Sequence, residues 1–94
     1  MALAFEIMYN ALVVEEDIPR LAPLWKAKIQ AAIEEKLFEY PDVYGKPLRR
    51  SLKGYRKLRV GDYRVVFRIA GSKVLILAIL HRSVVYREMD KRGS

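Results

Sequence analysis

At 94 residues, 52% of them apolar and none of them cysteine, the chain holds enough hydrophobic material for one core and has no route to disulfides, thiolate nucleophiles or thiolate metal sites. Its net charge of +7 is unevenly laid: residues 1–45 sum to −4 and residues 46–94 to +11, with nine basic side chains against the single acid Asp62 between Lys46 and Arg68. Such a density points to a polyanionic partner, nucleic acid before an acidic protein and either before an anionic membrane. The lone histidine, His81, leaves a zinc site without its usual ligands, and no metal or cofactor is expected. No secretory leader or bilayer-length apolar run is recognisable, which predicts a cytoplasmic protein with no membrane partner.

Taken in order, "ALAFEIMY" alternates Leu3, Phe5, Ile7 and Tyr9 against smaller or polar residues, the period of a strand with one face in the core. "ALVVEEDIPRL" reads as a short helix ending near Pro19. "APLWKAKIQAAIEEKLFEY" reads as a long one, with Trp25, Ile29, Ala32, Ile33 and Leu37 at spacings of three and four and Pro41 closing it. The Pro- and Gly-rich "PDVYGKPLRRSLKG" is expected to be a connecting loop. Three strands follow: "YRKLRV", "YRVVFRI" after the turn Gly61-Asp62, and "KVLILAIL" after Ala70-Gly71-Ser72, with a short helix or tail from Ser83. The order β-α-α-β-β-β predicts one small α+β domain over residues 1–92, its sheet mostly antiparallel with two helices packed on one face, and residues 93–94 as a tail.

Strand parity sorts the charges. Leu58 and Val60 share a face with Arg56, leaving Lys57 and Arg59 opposite; Tyr63, Val65, Phe67 and Ile69 share a face, leaving Arg64, Val66 and Arg68 opposite. The helices cover the apolar face, and no predicted element covers the other. That open face would present Lys57, Arg59 and Arg64. His81 follows Leu75, Leu77 and Ile79 in parity, so it too is expected to reach the open side at the strand's end. Solvated sheet faces commonly carry Lys and Arg, but they ordinarily mix in carboxylates, and here these are nearly missing.

The stretch "GKPLRRSLKGYRKLRVGDYRVVFRI", followed by "VLILAILHRSVVYR", resembles the RelE/ParE superfamily of toxins from type II toxin–antitoxin pairs. The resemblance spans nearly the whole chain. It implies a small αβ fold with a concave sheet and a cognate antitoxin partner, in a hetero-oligomer. In the RelE branch it implies metal-independent cleavage of messenger RNA on the ribosome, and in the ParE branch poisoning of DNA gyrase without nuclease activity.

In metal-independent RNA cleavage the ribose 2′-OH attacks the adjacent phosphorus. One proton must be taken, one returned to the 5′-oxygen, and the phosphorane's extra charge stabilised. The resemblance assigns the charge work to Lys57, Arg59, Arg64 and Arg82, and the proton work to Tyr86 and His81. A phenol serves as a base only where neighbouring cations lower its pKa, and Tyr86 capping the core is an even alternative. Arg64 and Arg82 offer the bidentate fork that suits phosphate. Lys46, Arg49, Arg50, Lys53, Arg56 and Arg68 are expected to hold messenger or ribosomal RNA backbone, with a solvated surface the competing account for Arg49, Arg50 and Lys53. Tyr55 and Tyr63 could stack bases, although parity favours the core for Tyr63, and Trp25 is expected to be core.

Overall fold

In the computed structural model, residues 4–49 and 53–92 are described. The first strand, β1 (Glu6–Tyr9), leads through Asn10 into a helical stretch α1 over residues 11–20. The Asn10 Oδ1 accepts the Leu12 N–H at 2.9 Å and satisfies one of the donors that a helix start leaves open. α1 widens at Val13–Asp17 and tightens at Ile18–Arg20, then breaks at the extended Leu21. Pro23 at its first turn opens α2, which runs as Pro23–Ala32 and on through Ile33–Leu37. Ile29, Ile33 and Leu37, spaced by four, are its buried stripe.

The segment expected to be a plain loop carries structure. Pro41–Tyr44 forms a single helical turn, α3, and Lys46–Pro47 a two-residue edge strand, β2. After it come β3 (Arg56–Val60), β4 (Tyr63–Ala70), β5 (Lys73–His81) and a C-terminal helix α4 (Val85–Lys91). The five strands lie in the order β1-β5-β4-β3-β2, with β1 parallel to β5 and every other pair antiparallel. The β3–β4 turn needs Gly61: its φ is +58°, and a Cβ there would run into the Trp25 ring.

Both faces of the sheet are covered. On one, α1 and α2 pack Val13, Ile29, Ile33 and Leu37 onto Leu58, Val65, Phe67, Val74, Ile76 and Ile79. On the other, α4 sets Val85 and Met89, with Leu48, onto Val66, Ala78 and Leu80. The second face is therefore not open, as parity alone implied; only its β3 side and rim remain for charged groups. The physical reason is legible in β5, whose unbroken apolar run from Val74 to Leu80 must be buried on both sides.

β5 also contains a bulge. Val65, Val66 and Phe67 face Ile79, Ala78 and Ile76 in turn, so Leu77 is the extra residue and the alternation inverts across it. Val74 and Ile76 lie under the long helix before the bulge, and Ile79 does so after it. His81, two residues beyond Ile79 and directly across from Tyr63, thus stands on the helical side, not the opposite one. Its ring meets Tyr63 edge-on at 5.6 Å, and Tyr63 in turn packs at 5.0 Å against Trp25. Among the described residues, no helix is long and apolar enough to cross a membrane.

Candidate nucleic-acid interface and active site

The second face gathers the cations through strand register. Lys57 lies across from Val66, and Arg59 directly across from Arg64. Two like charges in register cost stability in the free sheet, so their juxtaposition favours a site that an anion completes. Arg64 bends its Nη1 back to the carbonyls of Gly61 and Tyr63, both at 2.9 Å, leaving the rest of its fork unspent on those bonds. Arg82 reaches the same turn: its N–H donates to the Asp62 carbonyl at 2.8 Å and its Nε stands 3.9 Å from the Asp62 carboxylate, with both side chains largely exposed.

Tyr86, in the first turn of α4, brings its ring to the same face. The Arg49 guanidinium lies 5.8 Å and the Lys57 ammonium 6.0 Å from its centroid. Its hydroxyl is buried and meets hydrogen-bonding geometry with no described group. Burial alone would push the phenol up, but Arg49 and Lys57 stand near enough to favour the phenolate, and the net shift is below the ordinary tyrosine value. Arg49, expected only to grip RNA backbone, is thus part of the Tyr86 environment. The ring packs against the cluster that holds Val85 and Met89 and has two cations within 6.0 Å of its centroid.

An open cleft of about 390 Å³ adjoins this site at the outer edge of β3. Lys36, Lys46, Lys57, Arg59 and Arg64 rim it, Leu58 forms part of its wall, and Tyr44 closes one side; no carboxylate lines it among the described residues. Lys36 and Tyr44 were missed by sequence reasoning because they come from the helical layer, and nothing in their spacing signals that they meet β3.

The remaining expected residues are distributed as follows. His81 is not brought to Tyr86. The Ser83 N–H donates to His81 Nδ1 at 3.2 Å and the Ser83 hydroxyl lies 2.8 Å from the same nitrogen, so Nδ1 is the acceptor and the imidazole shapes the turn into α4. Arg56, on the helical side, donates to the Gly45 carbonyl at 2.9 Å and holds the α3 turn, so it does not belong with the cations of the cleft. Lys46 is exposed on β2 across from Lys57, Arg68 is exposed farther along β4, and Lys53 is exposed before β3. Arg50 lies outside the described residues.

Residues 7–86 match the family described as ParE toxin of type II toxin-antitoxin system, parDE. The chain belongs to that family. Toxin RelE of Mycobacterium tuberculosis is 44% identical over 66 residues, covering 64% of this toxin and 68% of that one. Toxin RelG of the same organism is 39% identical over 77 residues, covering 76% and 84%. The solved RelBE2 toxin–antitoxin complex from Mycobacterium tuberculosis contains a chain that superposes with a TM-score of 0.76 at 30% identity, covering 86% of this toxin and 94% of that chain. The chain is thus a RelE/ParE superfamily toxin of the type II class, with the small α+β fold expected of it.

Proposed function

We propose that this toxin is an endoribonuclease that cleaves messenger RNA on the ribosome and so stops translation. The observation that carries the reading is Tyr86: a buried hydroxyl with a lowered pKa, its ring near Arg49 and Lys57, the latter also one of five cations that rim the neighbouring cleft. In this reading the Tyr86 phenolate takes the 2′-OH proton, the 2′-oxygen attacks phosphorus, and the bond from phosphorus to the 5′-oxygen breaks. The products are a 2′,3′-cyclic phosphate and a 5′-hydroxyl. Arg59, Arg64 and Arg82 stabilise the phosphorane. Guanidiniums hold their protons too tightly to act as acids, so Lys57 is the member of the group suited to protonate the leaving oxygen. His81, on the other side of the sheet, takes no part.

The solved RelBE2 complex supports a cognate antitoxin as protein partner in a hetero-oligomer, and a cytoplasmic location is part of the same proposal. An antitoxin segment carrying acidic side chains would complement the cationic rim and compete with RNA for it. A second reading follows from the family match itself, since resemblance to the ParE branch implies poisoning of DNA gyrase. It assigns no role to the lowered pKa of Tyr86. Mapping messenger 5′ ends after induction, beside an assay for stabilised gyrase–DNA complexes, separates the two. Cuts within translated codons are expected; gyrase complexes without such cuts would overturn the ribonuclease reading.

A further inference from the structure

The cationic cleft does not end at the sheet. β2 pairs with β3 only through Lys46–Lys57 and Pro47–Arg56, so at Leu58 and Arg59 the outer edge of β3 has no strand beside it among the described residues. The cleft occupies that gap and continues onto the helical layer, where Lys36 lies near the end of α2 and Tyr44 at the end of α3. Tyr44 is 45% exposed, and the Lys36 ammonium stands 5.7 Å from its ring centroid.

The backbone beneath Tyr44 is held firmly. A Cβ at Gly45 would collide with the Phe67 ring, so the chain lies flat on that side chain. The Gly45 N–H donates to the Pro41 carbonyl at 3.0 Å, and its carbonyl accepts from Arg56 at 2.9 Å. An aromatic ring carried on this backbone, half in solvent, with Lys36 and Lys46 lining the same cleft, sets stacking surface beside positive charge. That juxtaposition suits the base–phosphate repeat of a single strand. An acidic peptide would use the lysines and leave the ring without a partner of its kind.

We propose that Lys36, Tyr44 and Lys46 form a second nucleotide subsite, in which Tyr44 stacks a nucleobase and the two lysines hold the adjoining phosphate. A single RNA strand then crosses the edge of β3 on its way to Tyr86. Lys57 joins the two regions, because it rims the cleft and also stands over the Tyr86 ring. The subsite rests on the ribonuclease reading and extends it by one nucleotide beyond the reacting phosphate.

The test uses the whole toxin and a fluorescein-labelled, single-stranded 2′-O-methyl RNA hexamer, which binds without being cut, with anisotropy titrated across several salt concentrations. Stacking on one aromatic contributes enough that Tyr44→Leu should weaken binding by about tenfold while Tyr44→Phe binds as the parent. Lys36→Gln and Lys46→Gln should each lower the slope of log affinity against log salt by about 0.7. Lys73→Gln, at the β4–β5 turn, should leave that slope unchanged. Parental affinity and slope in both Tyr44→Leu and Lys36→Gln would overturn the subsite and leave the ribonuclease reading standing. Loss in the lysine variants with none in Tyr44→Leu would mean a polyanion held by charge alone, and would overturn it too. A parent that does not bind the hexamer at all would overturn the subsite, and the ribonuclease reading would stand or fall on the mapped 5′ ends.

Discussion

Asp17 and Arg92, 75 positions apart, form a two-bond ion pair inside the toxin: Nη2 to Oδ1 at 2.7 Å and Nη1 to Oδ2 at 3.0 Å. Asp17 is 3% exposed. β1 ends across from Ile76, and beyond that point β5 has no strand on its outer side among the described residues. The pair takes over there. Asp17 Oδ2 accepts the Ile79 N–H at 3.0 Å, and Arg92 Nη1 donates to the carbonyl of the bulge residue Leu77 at 3.3 Å. The carboxylate's hydrogen bonds raise the Arg92 pKa further above its ordinary value despite the opposing effect of burial. One clasp thus ties α1, β5 and the segment ending α4, the helix that carries Tyr86.

Removing one member of a buried pair leaves the other uncompensated, at a cost of about 3–5 kcal/mol. Asp17→Ala also orphans the Ile79 N–H. Urea denaturation should show each of Asp17→Ala and Arg92→Ala losing stability in that range, with the double variant losing clearly less than the two together. Additive losses would mean that the two side chains do not act as a pair.

Tyr86→Phe removes the hydroxyl and keeps the ring against Val85 and Met89. If the phenolate takes the 2′-OH proton, single-turnover cleavage of ribosome-bound messenger should fall by about a hundred- to ten-thousandfold, with the melting temperature nearly unchanged. Cleavage at the parental rate would reduce Tyr86 to a packing residue.

The same assignment fixes a sign for the pH dependence. A base must be deprotonated and an acid protonated, so the cleavage rate should rise with pH through a midpoint below the ordinary phenol value near 10 and pass through a maximum. Lys57 lowers that midpoint by its charge. Lys57→Gln should therefore move it upward and cut the rate most at neutral pH, where the phenolate fraction falls furthest. Because Lys57 is also assigned the leaving-group proton, the maximum rate itself should drop. A midpoint that stays in place would separate Lys57 from the phenol.

His81 shows where the sequence was readable and where it was not. Three of the four principal strands, the two predicted helices and the placement of Trp25 and Tyr63 in the core follow from periodicity, the last strand follows from its continuous apolar run, and Lys57, Arg59 and Arg64 share a face as their parity requires. "VLILAIL" gives no alternation at all, so it carries no sign of the bulge at Leu77 that turns His81 to the helical side. The same continuous run did signal a covered second face, but α4 is short and offers only Val85 and Met89 as a buried pair. Lys36 and Tyr44 reach β3 across layers, and no local pattern encodes that meeting. On this geometry His81→Gln should slow cleavage by less than about tenfold, below the range of a positioned acid–base group. A hundredfold loss would return His81 to the reaction.

Arg59 and Arg64 face each other across β3 and β4, and this register sets stability against function. A like-charged cross-strand pair costs roughly 0.2–1 kcal/mol relative to a neutral one, and Arg59 is exposed, so nothing buried is lost on replacing it. Arg59→Gln should therefore raise the unfolding free energy of the free toxin by a fraction of a kcal/mol. If Arg59 stabilises the phosphorane, the same change should lower single-turnover cleavage by about a hundredfold, the loss expected for one removed charge-stabilising donor. Adding salt should shrink the stability gain, since screening already relieves the repulsion. A variant that is both less stable and fully active would show that Arg59 is anchored by the sheet and that the repelling pair is not held in place for an anion.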